Sequence, residues 1–136
     1  MRHVSLPCEY IGVDIVPELI AANRMFERPG VRFSVVDVIA DPPPEADVAF
    51  CREILFHLSF RDAQAALANI CKASSWLIAT TDPSIWFNSD IPTGDFRQIN
   101  LERRPYRFPR PRQVIIDDVL VPGRVLGIWK TAELAA

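Results

Sequence analysis

Short apolar runs that alternate with helical patterns, joined by brief loops, constrain the fold of this chain more than any other feature. Residues 10–13 have the pattern of a buried strand. A helix is predicted from Pro17 to about residue 27, where Pro29-Gly30 ends it. Residues 31–36 form a second, β-branched run. Parallel strands need a crossover, and crossover helices cover the sheet. The pattern therefore predicts an α/β fold with a mostly parallel sheet covered on both faces.

The same alternation continues through the middle of the chain. Residues 47–51 are predicted to form a third strand, and residues 76–80 a fourth. Between them, Ser59 and Asp62 have the spacing of a capping box, and apolar residues follow at helical intervals: Ala63, Ala66, Leu67 and Ile70. A helix is therefore predicted to connect the third strand to the fourth.

The last third of the chain changes character. Residues 82–113 are rich in proline, aromatic residues and arginine, and loops of this length in a compact domain are usually functional or disordered. Residues 114–118 and 124–130 then resemble strands joined around Pro122-Gly123, which predicts an antiparallel hairpin at one edge of the sheet. With 136 residues, the chain is predicted to be a single domain, 1–136.

The composition predicts the cellular compartment of the protein and excludes some classes of binding partner. An apolar fraction of 49% with 24% charged residues is ordinary for a globular protein, and no run of eighteen apolar residues is present. We therefore expect a cytoplasmic protein with no membrane partner. The net charge of −2 argues against nucleic acid as a partner. The three cysteines include no Cys-x-x-Cys pair, so neither a disulfide framework nor a metal site is expected.

Aspartates follow the first two predicted strands. Asp14 comes after residues 10–13, and Asp37 after residues 31–36. In open parallel sheets the ligand lies beyond the carboxyl ends of the strands, and a carboxylate there can accept hydrogen bonds from two ribose hydroxyls. Two acids at successive strand ends are more informative than either alone. The alternative, that each aspartate only caps the turn after it, remains open.

The strand motifs, taken in order, resemble those of class I S-adenosylmethionine-dependent methyltransferases. Residues 10–15 (YIGVDI), 33–38 (FSVVDV) and 47–58 (DVAFCREILFHL) are similar to the second, third and fourth strand motifs of that family. The closing hairpin resembles its sixth and seventh strands. Residues 94–102 and 106–111 resemble a late insert of small-molecule and glycan-associated members. The resemblance implies a Rossmann-like methyltransferase sheet and covers nearly all of the chain from residue 10.

The resemblance also implies roles by position. Residues at three strand ends would bind the cofactor S-adenosylmethionine: Asp14, Ile15, Asp37, Val38, Cys51 and Arg52. Glu53 and His57 would face the acceptor as catalytic groups, although a histidine at the rim of an apolar segment is more often structural. The implied reaction is attack of an oxygen or nitrogen of a small molecule on a sulfonium methyl group, accelerated mainly by alignment.

Six arginines lie within the loop-rich segment 82–113, which is expected near the acceptor: Arg97, Arg103, Arg104, Arg107, Arg110 and Arg112. Arginines interleaved with aromatic residues can clamp a phosphate or carboxylate, which would make the acceptor anionic. A solvated loop face is the more common explanation, and stacking on nucleic acid is a third.

One element of the family pattern has no counterpart in the chain. The family marks its first strand with an acid and a glycine-rich turn, and the five glycines, at 12, 30, 94, 123 and 127, do not form one. In the family strand order 3-2-1-4-5-7-6, this leaves a gap of roughly 9 to 10 Å between the second and fourth strands. We expect codons upstream of Met1 to encode the absent strand and helix. A slot filled by residues 2–8 or a partner chain, and a decayed gene, are the alternatives.

Two other functions stay open. A non-catalytic remnant or regulatory subunit would keep the sheet and bind no cofactor. A nicotinamide-dependent oxidoreductase shares the strand-end acid, but it needs Gly-x-Gly-x-x-Gly about twenty residues earlier, and only thirteen residues precede Asp14. The methyl acceptor is not predicted, because substrate choice in this fold depends on loops and appended helices.

Overall fold

The computed structural model describes residues 7–117 and 122–134. They contain six strands: β1 (Tyr10–Asp14), β2 (Val31–Val35), β3 (Ala46–Cys51), β4 (Ser74–Thr81), β5 (Gln113–Ile116) and β6 (Val125–Lys130). Within the same residues, the two α-helices are α1 (Pro17–Asn23) and α2 (Phe60–Ala73). Short 3-10 helices lie at Arg24–Phe26, Ile54–His57 and Thr131–Glu133. The elements follow the predicted alternation, and each strand lies within two residues of its predicted ends in the described parts.

The strands form two separate sheets. β1 pairs in parallel with β2, while the other four lie in the order β3-β4-β6-β5. β3 and β4 are parallel, and β6 pairs antiparallel with both β4 and β5. The predicted Rossmann-like arrangement with an antiparallel C-terminal hairpin is therefore confirmed. Asp118, which the prediction included in the hairpin, lies outside the described residues.

The break between the sheets falls at one particular position. No described strand lies between β1 and β3. This is the place where the resemblance predicts a gap, because the first strand of the family would have β1 and β3 as its neighbours. In agreement with that prediction, the described residues contain no strand paired with the second edge of β1 or of β3.

Both helices begin where their sequences predict. Pro17 is the first residue of α1, where its missing N–H is not needed. The Ser59 side chain caps α2 by accepting a hydrogen bond from the Asp62 amide at 3.2 Å. The end of α1 differs from the prediction of a helix to about residue 27. The α-helix ends at Asn23, and the chain tightens into a 3-10 turn, as helix ends commonly do.

The main core lies on one face of the four-stranded sheet. Leu77 of β4 and Trp129 of β6 are fully buried there under α2. The loop after β4 covers the same face through Ile99 and Leu101, which are also fully buried. Because that loop and α2 share a face, the prediction of helices on both faces is wrong for this sheet. Within the described residues, no helix covers the opposite face.

A smaller core joins α1 to the two-stranded sheet. Ile20 of α1 packs with Val31 and Phe33 of β2. Asn69 of α2 connects this part to the larger one, because its amide group donates to two carbonyls just beyond β2, each at 3.1 Å. Among the helices that the structure describes, none has the length and apolar character to cross a membrane.

Candidate functional site

Asp14 and Asp37 lie at or just beyond the carboxyl ends of two neighbouring parallel strands, β1 and β2. Asp14 is the last residue of β1, and Asp37 lies two residues beyond Val35, which is opposite Asp14 in the register. Each Oδ1 accepts a hydrogen bond of 2.9 Å from the amide two residues later, Val16 for one and Ile39 for the other. Both aspartates therefore make the turn caps that were the alternative to ligand binding.

The turn contacts occupy only one oxygen of each carboxylate. Within residues 7–117 and 122–134, neither Oδ2 has a hydrogen-bond partner, and both side chains are partly exposed. A carboxylate oxygen in this state can accept hydrogen bonds from the hydroxyl or amino groups of a ligand. Capping and ligand binding are therefore compatible for Asp14 and Asp37, and their cofactor-binding role stays a prediction.

The residues next to these aspartates have different surroundings. Ile15 is exposed and presents an apolar side chain beside Asp14. Val38 is partly buried against the main core, and its carbonyl accepts one of the Asn69 hydrogen bonds. Packing against α2 therefore sets the position of Val38, whereas Ile15 is available to a ligand.

Cys51 and Arg52 follow one another at the end of β3 but face different environments. Cys51 is buried, and burial raises the pKa of its thiol to about 12, only partly opposed by a backbone hydrogen bond at Leu55. Arg52 is exposed, and its guanidinium donates two hydrogen bonds to Asp117, at 3.0 and 3.1 Å. The Cys51 thiol is therefore a neutral group that packs in the core, and the Arg52 guanidinium is already paired with Asp117.

Glu53, a predicted catalytic group, pairs with a buried arginine. Arg124 is almost fully buried, and its Nη2 lies 2.6 Å from Oε1 of Glu53, close enough for an ion pair although not aligned as a hydrogen bond. The Glu53 backbone has a left-handed φ of 67°, and its amide donates to Oγ1 of Thr80 at 2.9 Å. Since a buried guanidinium needs a counter-charge, the carboxylate has a structural partner whether or not it also acts on a substrate.

Sequence reasoning missed Asp117 and Arg124. The Asp117 amide donates to the Arg124 carbonyl at 3.1 Å, so the two residues face each other across the C-terminal hairpin. Opposite charges at facing positions of the predicted hairpin were the available signal. With Arg52 and Glu53, these residues form a cluster of two cations and two anions beyond the end of β3.

His57 lies in the 3-10 helix after β3, with its ring exposed. Its Nδ1 is 3.0 Å from the carbonyl oxygen of Asp95. A carbonyl oxygen can only accept, so Nδ1 carries the proton and a neutral ring keeps its lone pair on Nε2. Phe96 packs against the imidazole with ring centres 5.4 Å apart. The geometry suits a proton acceptor, and the catalytic role of His57 stays a prediction.

Arg97 does not belong to a solvated arginine surface. It is buried, and it donates hydrogen bonds to the Leu58 carbonyl at 2.5 Å and to the Tyr106 hydroxyl at 3.0 Å. Its guanidinium also lies 4.9 Å from the centre of the Phe60 ring. This arginine therefore ties the loop after β4 to the start of α2.

The other arginines of the segment do not converge on one site. Arg103 lies over the ring of Trp86, at 5.5 Å from the ring centre, and Arg112 forms an ion pair with Glu133. Three more are exposed at the surface: Arg104, Arg107 and Arg110. An anionic acceptor held by these side chains stays a prediction.

The thiols provide a test of the geometry at the end of β3. We expect Cys51 to react with iodoacetamide at pH 8 about 1,000-fold more slowly than an ordinary exposed cysteine, because a thiol with a pKa near 12 is almost fully protonated there. The rate should rise with pH toward that value. Cys8 is exposed and serves as the internal reference in mass spectrometry of the modified peptides. Comparable labelling of both thiols in the folded protein would contradict the burial of Cys51.

No known family profile matches the chain, and no curated protein matches it either. Among solved structures, CalO1, a methyltransferase in calicheamicin biosynthesis, matches with a TM-score of 0.61 and 14% identity over 88% of this chain and 40% of its own. The cyclase SpnF matches with a TM-score of 0.53 and 21% identity over 70% of this chain and 39% of its own. The CMeT domain of the citrinin polyketide synthase matches with a TM-score of 0.49 and 20% identity over 59% of this chain and 23% of its own.

The matches to CalO1 and SpnF establish the fold. The chain has the Rossmann-like fold of class I S-adenosylmethionine-dependent methyltransferases. It spans less than half the length of each of the three solved proteins. The same fold occurs in a protein described as a methyltransferase and in one described as a cyclase, so the fold does not by itself define the reaction.

Proposed function

We propose that this protein takes part in S-adenosylmethionine-dependent methyl transfer to an oxygen or nitrogen of a small molecule. One observation carries the proposal: Asp14 ends β1 and Asp37 lies two residues beyond the parallel neighbouring strand β2, and each keeps a carboxylate oxygen without a partner among the described residues. Ligands of open parallel sheets lie at this edge. A glycan-associated or anionic acceptor is part of the proposal only through the resemblance of residues 94–111 and their arginines.

The nucleoside part of the cofactor would lie across the ends of β1 and β2. Asp14 would accept hydrogen bonds from the ribose hydroxyls through the oxygen that the turn does not use. The exposed Ile15 side chain would cover the adenine, and Asp37 with Val38 would lie at its amino edge. These residues have the right donor and acceptor types for the nucleoside.

The methionine part would lie near the end of β3. Cys51 supplies a small, neutral side chain there. The Arg52 guanidinium is committed to Asp117, so a contact from Arg52 would come from its backbone. The side chains of the charge cluster would then stabilise the site without contacting the cofactor.

His57 is the residue best placed to accept a proton. When bound, the cofactor supplies a methyl group activated by a sulfonium. Transfer of that methyl group to the acceptor oxygen or nitrogen would release the cofactor as a neutral thioether. The acceptor proton then passes to Nε2 of His57, since Nδ1 donates to Asp95. Glu53 is paired with Arg124 and serves the same role less well.

A non-catalytic subunit is the second candidate. Within the described residues, no strand lies between β1 and β3, and no glycine-rich turn follows one. In the family this element lets the backbone approach the methionine part closely. A protein that lacks it when assembled would keep the sheet and bind no cofactor.

Substitution of Asp14 tests the proposed function. We expect Asp14→Ala to weaken S-adenosylhomocysteine binding about 10- to 100-fold, because hydrogen bonds to a charged group contribute about 1.5–3 kcal/mol. Asp14→Asn keeps an acceptor for the Val16 amide and separates loss of the ribose contact from loss of the turn. Asp41→Asn changes an exposed acid outside the site and is the matched control. Calorimetric titration measures all three.

The titration separates the two candidates. Equal affinities of the unsubstituted protein and Asp14→Ala would exclude Asp14 from the site. No measurable affinity in a folded protein, shown by circular dichroism, would favour the non-catalytic subunit.

A further inference from the structure

A cavity of about 230 Å³ lies between α2 and the loop after β4. Four residues of α2 form one wall, at the spacing of a single helical face: Gln64, Leu67, Ala68 and Cys71. Residues 105–108 form the opposite wall, and Leu134 also lines the cavity. An apolar cavity of about 150 Å³ is large enough to hold benzene. The cavity beside α2 therefore has room for one aromatic ring with a short substituent.

This cavity is separate from the candidate site. None of the residues predicted to bind the cofactor or to act in catalysis lines it. Because α2 joins the parallel strands β3 and β4, the helix begins beyond the carboxyl end of β3 and ends at the amino end of β4. The candidate site lies beyond the carboxyl ends of the strands, whereas Cys71 is in the last turn of α2. A ligand of the cavity is therefore distinct from the cofactor and from the methyl acceptor.

The loop wall of the cavity is fixed by contacts within the protein. The Tyr106 hydroxyl accepts a hydrogen bond from Arg97 at 3.0 Å, and the Tyr106 ring meets the Phe60 ring edge-on with centres 6.0 Å apart. The Phe108 amide donates to the Leu101 carbonyl at 2.9 Å. These contacts do not depend on a ligand. The wall is therefore preformed, as it is in most binding sites for small molecules.

The polar groups at the opening of the cavity suit an anion. Gln64 and Arg107 line the cavity and are exposed, so they lie where it opens to solvent. Among the described residues, neither side chain has a hydrogen-bond or ion-pair partner, and no acidic residue lines the cavity. Arg107 also has a left-handed φ of 54°, and non-glycine residues in this conformation cluster at ligand sites. A guanidinium and a side-chain amide can both donate hydrogen bonds to a carboxylate.

We propose that the cavity beside α2 binds a small aromatic carboxylate. The ring of the ligand lies between α2 and the aromatic side chains of Tyr106 and Phe108, where ring–ring contacts are favourable. Its carboxylate accepts hydrogen bonds from Arg107 and Gln64 at the opening. Charge complementarity thus selects the head group, and the volume of the cavity limits the body to about one ring. The proposal does not rest on methyl transfer.

Cys71 lines the cavity, so its thiol reports whether the cavity is occupied. The probe is phenylacetate, and iodoacetamide labels the thiols in the folded protein. At a phenylacetate concentration about ten times its dissociation constant, labelling of Cys71 is expected to slow about 10-fold. Cys8 is exposed and does not line the cavity, so its labelling rate should not change. Phenylacetamide has the same ring without the charge, and about 5-fold more of it should be needed for equal protection.

Two substitutions separate the head-group contact from the space for the ring. Arg107→Gln is expected to weaken protection by phenylacetate about 5-fold and to leave protection by phenylacetamide unchanged, because it removes only the charge. Arg110→Gln changes an exposed arginine of the same loop that does not line the cavity, and it is the matched control. Ala68→Leu fills the cavity from α2, so phenylacetate should no longer alter the labelling rate of Cys71. Circular dichroism verifies that each variant is folded.

Any of three results would contradict the proposal. One is an unchanged labelling rate of Cys71 in the folded protein at phenylacetate concentrations up to about 10 mM. Another is equal protection by phenylacetate and phenylacetamide, which would exclude a carboxylate as the preferred ligand. The last is protection that persists in folded Ala68→Leu, which would place the ligand outside the cavity. None of these measurements uses S-adenosylmethionine or its product, so failure here is distinct from failure of the proposed function.

Discussion

Trp129→Ala is expected to lower the free energy of unfolding by about 3–5 kcal/mol, the range for removal of a large buried aromatic side chain. Trp129 is fully buried in β6. Its Nε1 donates a hydrogen bond to the Pro109 carbonyl at 2.8 Å, and the Phe108 ring meets it edge-on with centres 5.5 Å apart. The substitution leaves a cavity between the sheet and the loop after β4, and it removes the donor to that carbonyl.

Gly127 explains why the indole fits so closely against its own strand. A Cβ at residue 127 would lie 2.1 Å from the Trp129 ring. Only a glycine therefore lets the ring lie across the strand, and the absence of a side chain there makes the indole the main filling of this part of the core. Little else is available to occupy the space that Trp129→Ala would vacate.

Urea unfolding followed by circular dichroism measures this prediction. The matched control is Trp86→Ala, since Trp86 is 74% exposed and contacts Arg103 only as a surface cation–π pair. Its effect is expected to stay below about 1 kcal/mol. Trp129→Phe should give an intermediate loss if Trp129→Ala does not fold. Equal losses for Trp129→Ala and Trp86→Ala would contradict the described core.

Arg97→Met is expected to destabilise the protein by about 2–3 kcal/mol, because it removes hydrogen bonds from a buried charged donor and leaves an acceptor unpaired. The guanidinium of Arg97 bonds to the Leu58 carbonyl and the Tyr106 hydroxyl. Methionine can fill much of the volume and can pack on the Phe60 ring, but it cannot donate. The loss therefore reports the hydrogen bonds more than the packing.

The pKa of Tyr106 provides a second readout for Arg97. Burial raises the pKa of this hydroxyl, and the positive charge and hydrogen bond of Arg97 lower it. Arg97→Met removes the opposing effect, so the Tyr106 phenol is expected to ionise at a still higher pH in ultraviolet titration. Arg110→Met changes an exposed arginine and should alter neither stability nor titration. Unchanged stability and unchanged titration in Arg97→Met would show that the guanidinium is not engaged as described.

The local elements of the fold were predictable because their signals are local. The Ser59 cap depends on residues within three positions, and Pro17 begins a helix through its own fixed backbone. The positions of Asp14 at the end of β1 and of Asp37 two residues beyond β2 follow from the same reasoning, because each strand boundary depends on a local pattern of residues. The parallel pairing of β1 with β2 is a property of the tertiary structure.

At the candidate site, the sequence did not predict the contacts between residues that are far apart in the chain. Arg97 was grouped with surface arginines because it lies in a loop-rich segment with five other arginines, yet its partners are the Leu58 carbonyl just before α2 and the Tyr106 hydroxyl. Arg124 was not predicted at all, and it lies buried against Glu53 from a distant part of the chain. The sequence around a charged residue does not show which counter-charge that residue will contact in the folded protein.

The sequence alone therefore determined the order of strands and helices, the capping of the helices and the place of the two carboxylates, because each depends on the chemistry of a few adjacent residues. The tertiary structure decided which face of the larger sheet is covered. It also decided which arginines are buried, and it showed that the edges of β1 and β3 lack partners within the described residues. Those properties arise from contacts between segments far apart in the chain, and only the folded arrangement brings such segments together.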